Sequence, residues 1–162
     1  LLPVLGAARA ATVATGLYVL HNLLYAGFSM LGGVLADRVH KGRLLAAGYL
    51  LAGLMALAIV LLPPTLWMLA AVFVTGGIYV AIEETLEDSF CAELVSDTQH
   101  GIAFGTLATV NGIGDFASSL IVGALWTMYG TSVAFGYSAV LFFVGSALVL
   151  SLELDRQPVS PP

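Results

Sequence analysis

Hydrophobic residues run along this chain in long blocks, broken by short polar or proline-containing stretches. A helix needs roughly 20 apolar residues to cross a hydrocarbon core of about 30 Å, and five blocks reach that length. The first extends from about Thr12 to Ala36 and stops at the charged stretch Asp37-Arg38-Val39-His40-Lys41-Gly42-Arg43. The second runs from Leu44 to Leu62 and ends at Pro63-Pro64. The third starts near Leu66, is apolar to Ile82, and continues as a polar helical turn or two toward Asp97. The fourth covers about Ile102 to Trp126, and the fifth Ser132 to Leu152, before Glu153-Leu154-Asp155-Arg156-Gln157-Pro158. Leu1 to Ala8 is too short to cross and reads as the end of a severed helix. The pattern predicts an all-α fold, a polytopic transmembrane bundle of about five spans. Residues 1–10 are expected to hold the severed helix end and an outer loop, 11–152 the five-span domain, and 153–162 a polar tail.

Composition supports lipid as the solvent. Of 162 residues, 59% are hydrophobic and 9% charged, and the mean hydropathy is +0.99. Soluble domains carry roughly a quarter charged residues, so this chain could not cover a water-facing surface. The net charge of −5, with five Lys or Arg, argues against a nucleic-acid partner. Cys91 is the single cysteine, which excludes an internal disulfide or a Cys-based zinc site. No phosphate-binding loop of the Gly-x4-Gly-Lys-Ser/Thr kind occurs, and no Ser/His/Asp, metal-ligand or nucleotide-binding pattern stands out. An enzyme is not expected, nor a metal or cofactor. The chain opens on Leu1-Leu2-Pro3 without an initiating Met or signal-peptide layout, and reads as a piece of a longer protein.

Lys and Arg accumulate on cytoplasmic loops. Arg38, Lys41 and Arg43 therefore place the first loop inside, the start of the chain outside and the tail, with Arg156, inside; Arg9 alone falls outside. Trp67, Trp126 and Tyr129 then lie at the outer boundary, where amphipathic rings settle. The expected location is a plasma membrane, with the carboxy terminus cytoplasmic.

The stretch Gly33-Val34-Leu35-Ala36-Asp37-Arg38-Val39-His40-Lys41-Gly42-Arg43 resembles the signature loop of the major facilitator superfamily. That pattern is a Gly, three residues, Asp-Arg, one residue, Gly, then a basic cluster. Gly33, Asp37, Arg38, Lys41 and Arg43 match, while His40 stands in place of the second Gly and Gly42 interrupts the basic run. Tyr18-Val19-Leu20-His21-Asn22 and Asn111-Gly112-Ile113-Gly114-Asp115-Phe116 look like the eighth and eleventh helices of bacterial members. The resemblance implies part of a 12-helix fold, its carboxy-terminal half, with a separate amino-terminal half as partner and a bacterial inner membrane as location. It also implies that Gly33, Asp37, Arg38, Lys41 and Arg43 form a gating loop. A carboxylate and cations at a membrane boundary can pair with neighbouring helix ends and favour one arrangement of two bundles.

Intramembrane polar groups are costly, so they mark interiors or pathways. The second and fifth spans carry no ionisable residue; in the resembled family the corresponding helices are peripheral. On the first span Tyr18, Asn22, Tyr25, Ser29 and Gly33 recur at intervals of three and four and form one polar stripe. Cavity lining and interhelical hydrogen bonding are both open for it. His21, one residue off the stripe, is open between proton carrier and packing group. On the third span Tyr79, Glu83 and Glu87 share one face, and Glu84 and Asp88 the adjacent one. These four carboxylates cannot all ionise cheaply in a low dielectric, so at least one is expected to take up a proton or a cationic partner. They form either a proton or cation site, or a wet extension of the helix with Glu93 and Asp97. The fourth span presents Gly101, Gly105, Ala108, Gly112, Asp115, Ser119 and Gly123 at helical spacing. That small-residue face is suited to close backbone approach, with Asp115 near the bilayer centre and Asn111 one turn away.

The function expected is secondary active transport of a small solute by alternating access, coupled to protons as a symporter or antiporter. The pathway residues would be Asp115, Asn111, Glu83, Glu84, Tyr79, Asn22, Tyr18, Tyr25 and His21. The alternative is a non-transporting scaffold or receptor-like bundle in which the same residues only hold helices together.

Overall fold

The structure is a computed structural model that describes residues 6–36 and 38–155. It contains five long helices: α1 (Ala7–Ala36), α2 (Lys41–Leu61), α3 (Leu66–Leu94), α4 (His100–Tyr129) and α5 (Thr131–Asp155). A single 3₁₀ turn, Asp97–Gln99, joins α3 to α4. All five are long and apolar enough to cross a membrane, and no strand occurs among the described residues. Helices are the expected solution, because in lipid every backbone N–H and C=O must be satisfied within the segment. The all-α, five-span architecture is therefore as the hydrophobic pattern predicts. Two helix starts differ from it. Ala7, Ala8 and Arg9 already belong to α1, and Lys41-Gly42-Arg43 opens α2 rather than ending the loop. Long basic side chains reach the interface from inside a helix end, so polarity alone misplaces such a boundary.

The breaks have local causes. Leu62 precedes Pro63-Pro64 and is extended, at φ −99° and ψ 149°, as the clash with a following proline ring requires. Thr65 then caps α3, its hydroxyl accepting from the Met68 N–H at 3.2 Å. Between α4 and α5 only Gly130 intervenes, at φ +89°, a conformation that a side chain would strain.

Short connections make successive helices antiparallel, but sequence neighbours are not the principal partners. α1 packs along α3, α2 packs along α5, α2 also touches α3, and α4 leans on α5. The contact between α3 and α4 is sparse. The interior is built largely from small residues: Ala46, Ala52 and Ala56 of α2, Ala81 of α3, and Ala134 and Ala139 of α5 are buried. Ser146 is the buried polar residue among those described, and its hydroxyl donates to the Ala46 carbonyl at 2.8 Å, tying α5 to α2. Large apolar residues such as Leu23, Met30, Phe116 and Leu148 face outward, the inverse of a water-soluble domain and the pattern a lipid solvent selects.

Two glycines set the closest approaches. A Cβ at Gly77 of α3 would lie 2.5 Å from the His21 carbonyl oxygen of α1, and one at Gly53 of α2 would meet the Phe143 ring of α5 at 2.6 Å. The small-residue face of α4 is different. Nothing lies within 4 Å of where a Cβ would stand at Gly101, Gly105, Gly112, Gly114 or Gly123, and α4 contributes no buried residue. The expected close backbone approach on that face is not made by the described residues; it occurs on α2 and α3, where the glycines are scattered and form no conspicuous stripe.

Candidate functional site

The acidic turn of α3 lies opposite the middle of α4. Successive residues on an α-helix are about 100° apart, so Glu83 and Glu87 lie nearly in line and Glu84 lies to one side. The sparse α3–α4 packing leaves a cleft there of about 510 Å³, lined by Glu83, Glu84 and Glu87 from α3 and by Asn111, Gly114 and Asp115 from α4. The two faces distinguished on α3 thus open onto one space. A smaller adjoining cavity of about 330 Å³ continues along the same seam past Glu87, Asp88 and Phe104. Among the described residues no Lys or Arg lines either space.

Each α3 carboxylate has a neighbour of its own. The Tyr25 hydroxyl of α1 donates to Glu84. The Asn111 side-chain amide of α4 donates to Glu87 at 2.7 Å. Glu83 interacts with the hydroxyl of Tyr79, one turn earlier on α3, and Asp115 is among the charges that act on it. Tyr79 is buried, its ring edge-on to Phe142 of α5 at 5.6 Å. The structure brings Glu83, Glu84, Tyr79, Asn111 and Asp115 into one neighbourhood, with Tyr25 reaching it from α1. All of these neighbours are neutral donors or other acids. The arrangement lies between two membrane-length helices, and Glu84, Asn111 and Asp115 are exposed on it.

The remaining residues of the α1 stripe do not reach this cleft. Tyr18 is exposed, and the Asn22 amide donates to the Tyr18 carbonyl on its own helix at 2.8 Å. Ser29 likewise donates to the Tyr25 carbonyl at 2.7 Å. Across the helix pair, Thr85 approaches Gly32 and Gly33, and its hydroxyl lies 3.4 Å from the Ser29 carbonyl. His21 is part of the α1–α3 contact. Its Nδ1 lies 3.1 Å from the Phe73 carbonyl, and its ring stacks on Tyr18 with centroids 6.3 Å apart.

At the other candidate site Asp37 lies outside the described residues. Arg38 and Arg43 are exposed, while Lys41 turns inward to α3. Its ammonium donates to the Ser89 hydroxyl at 2.6 Å and forms an ion pair with Glu93. These acceptors sit in the last turns of α3, where a cation also meets the negative end of the helix dipole. Because Glu93 is 61% exposed, the pair contributes little to stability, about 0–1 kcal/mol. Lys41→Gln is accordingly expected to leave the thermal midpoint of the detergent-solubilised protein almost unchanged. A transport rate that falls several-fold in the same variant, with equilibrium solute binding unchanged, would assign the contact to conformational balance. Equal losses in rate and binding would assign it to the solute site.

One element had no signal in the linear pattern. Between α4 and α5, and backed by α2 and α3, lies a second cavity of about 550 Å³ whose wall is mainly apolar and includes Tyr49, Tyr137 and Phe142. Its aromatic residues come from α2 and α5, whose charged residues stand only at helix ends and whose interiors polarity alone marks as featureless. Helix pairing is what brings them to Glu83.

The chain matches the profile of the Major Facilitator Superfamily over residues 2–162. It is 31% identical over 136 residues to an uncharacterized MFS-type transporter of Methanocaldococcus jannaschii, an alignment that covers 83% of this chain and 33% of that protein. The chain thus spans about a third of the length of this relative. No solved structure matches it. With five membrane-length helices and a match over nearly its whole length, the chain belongs to the major facilitator superfamily, a family of membrane transporters.

Proposed function

We propose that this chain is the carboxy-terminal half of a secondary transporter that moves a small solute by alternating access, with protons bound and released at the α3–α4 carboxylates. The observation that carries the reading is the cleft itself. Glu83, Glu84, Glu87 and Asp115, from two helices, line one space with no Lys or Arg on its wall among the described residues. A carboxylate in low dielectric is stabilised by taking up a proton or a cation. Coupling follows if the occupancy of the cleft biases one packing of α3 and α4 over another. The sparse contact between these helices supports that step, since a seam closed by few contacts has a low cost of opening.

In this reading an amino-terminal half supplies the opposite wall of the pathway. The carboxy terminus is cytoplasmic, as the positive charges of the first loop favour, and the location is a bacterial inner membrane. Lipid, the solute and protons are the partners. The hydrogen bonds from Tyr25 to Glu84 and from Asn111 to Glu87 would also serve a non-transporting scaffold, so the test must read flux.

The complete protein carrying this chain would be reconstituted in liposomes with a trapped pH dye and challenged with candidate solutes. Solute-evoked proton movement is the expected result, and a protein that moves neither solute nor protons under either gradient direction would sink the transport reading. Glu83→Gln and Glu84→Gln are expected to uncouple solute movement from the pH gradient while leaving solute exchange intact. Unchanged coupling in both single variants and in the double variant would return these two residues to a packing role.

A further inference from the structure

One stretch of α3 has more partners for its backbone than a straight helix needs. In an α-helix the carbonyl of residue i accepts from the N–H of residue i+4, so the Ala71, Val72 and Phe73 carbonyls serve the amides of Thr75, Gly76 and Gly77. All three carbonyls also carry a side-chain donor. The Thr75 hydroxyl is shared between the Ala71 carbonyl at 2.7 Å and the Val72 carbonyl at 3.2 Å. The His21 imidazole, from α1, bonds the Phe73 carbonyl at 3.1 Å. Elsewhere among the described residues such bonds fall on isolated helix carbonyls, as at Tyr25, Ala81 and Gly105. The doubled set coincides with the adjacent pair Gly76 and Gly77, which is buried. The neighbours of that pair are the His21 ring and backbone from α1 and the Met55 thioether from α2.

We propose that Thr75-Gly76-Gly77 is a hinge in α3, at which residues 78–94 bend relative to residues 66–74. A backbone hydrogen bond broken inside a membrane finds no water, and an unmet carbonyl there is costly. Each carbonyl that this bend releases keeps a donor: Thr75 travels with the helix, and His21 is supplied by the neighbouring one. Two glycines in succession lower the cost of leaving helical geometry, since glycine favours the helix weakly and has no side chain to collide. Bends arise at such small-residue pairs and where a side chain enters the ladder, and a back-bonded Thr tilts a helix in the same way. Met55 can follow the motion, because an unbranched thioether repacks readily. The carboxylates lie on the moving side. Glu83 is six residues past Gly77, about 9 Å along the axis at 1.5 Å per residue. A bend here displaces Glu83, Glu84 and Glu87 together, against Tyr25 of α1 and Asn111 of α4. His21 is then a positioning residue that holds the Phe73 carbonyl and carries neither solute nor proton. What the bend serves rests on the transport reading; that α3 bends does not.

Amide hydrogen exchange, resolved to single residues by mass spectrometry, tests the hinge on the complete protein in lipid nanodiscs. In the parent the Gly76 and Gly77 amides should exchange about tenfold or more faster than amides one turn to either side. Gly76→Ala, whose methyl group meets only ordinary contacts, should slow that exchange about fivefold or more, and so should Thr75→Val and His21→Leu. Thr75→Ser and His21→Asn return a donor to nearly the same place and should stay within about twofold of the parent. A packing role alone gives the opposite sign for Thr75→Val and His21→Leu, because a loosened contact speeds exchange. Faster exchange in these two variants, or glycine amides as protected as their neighbours in the parent, would overturn the inference. Should His21→Leu fail to fold, Gly76→Ala decides, and unchanged exchange in it would be equally fatal. In liposomes Gly76→Ala should also lower proton-coupled solute flux several-fold. Slowed exchange with full flux would overturn the hinge's part in transport. A hinge that behaves as described in a protein that moves no solute would overturn the transport reading alone.

Discussion

Asp115→Asn is expected to abolish gradient-driven accumulation of solute, with a loss of about tenfold or more. The residue sits roughly midway along α4, about 20 Å from either helix end at 1.5 Å per residue. An unpaired charge at such depth costs about 2.5–3.5 kcal/mol on insertion scales. Asp115 faces the cleft that it shares with Glu83, Glu84 and Glu87, where its charged neighbours are acids. Asn keeps the shape and hydrogen-bonding capacity of the side chain and removes only titration. α4 buries no residue in the bundle, so the substitution has no core packing to disturb. Transport that survives in Asp115→Asn with an unaltered pH profile would make the residue structural and remove it from the proposed pathway.

The second large effect concerns two adjacent glycines that should behave in opposite ways. Gly77→Ala places a methyl group 2.5 Å from the His21 carbonyl oxygen and 3.3 Å from the Leu24 Cβ. The obstruction is largely backbone, which cannot rotate aside, so α1 must move off α3. Overpacking of this kind costs about 1–3 kcal/mol. Gly76→Ala meets only the His21 ring at 3.5 Å and the Met55 sulfur at 3.6 Å, both ordinary contacts. The gain in helix propensity, up to about 1 kcal/mol, should make that variant as stable as the parent or slightly more so. Thermal unfolding of the two detergent-solubilised variants checks the contrast. Equal midpoints would mean that α1 and α3 do not approach as closely as described.

The five helices were legible because each needs a long apolar block and the blocks are separated by prolines, glycines and charges. The acidic face of α3 was legible too, since Tyr79, Glu83 and Glu87 repeat at helical spacing. Periodicity specifies a face but not its neighbour. Nothing in the linear pattern says that Glu84 meets Tyr25 while Glu87 meets Asn111. Nor does it say that Tyr49 and Phe142, in the uncharged interiors of α2 and α5, come to stand beside Glu83. The glycine stripe of α4 shows the same limit. Small residues permit close approach wherever they occur, and within this chain the approach is made at Gly53 and Gly77. On α1 the polar stripe divides: Tyr25 crosses to α3, whereas Asn22 and Ser29 bond carbonyls of their own helix. A side chain with a local acceptor does not need the neighbouring helix.

The bond between His21 and Phe73 has a consequence for how the bundle responds to protons. A carbonyl oxygen can only accept, so the His21 Nδ1 must carry the hydrogen. Neutral imidazole in that tautomer donates through Nδ1, and so does imidazolium. Gain or loss of the second proton, on Nε2, therefore leaves this link between α1 and α3 intact. By contrast, the Asn111 bond to Glu87 across the opposite seam depends on an acceptor that protonation weakens. The Tyr25 bond to Glu84 between α1 and α3 shares that dependence, which leaves the His21–Phe73 bond as a polar link between these two helices that does not rest on a carboxylate.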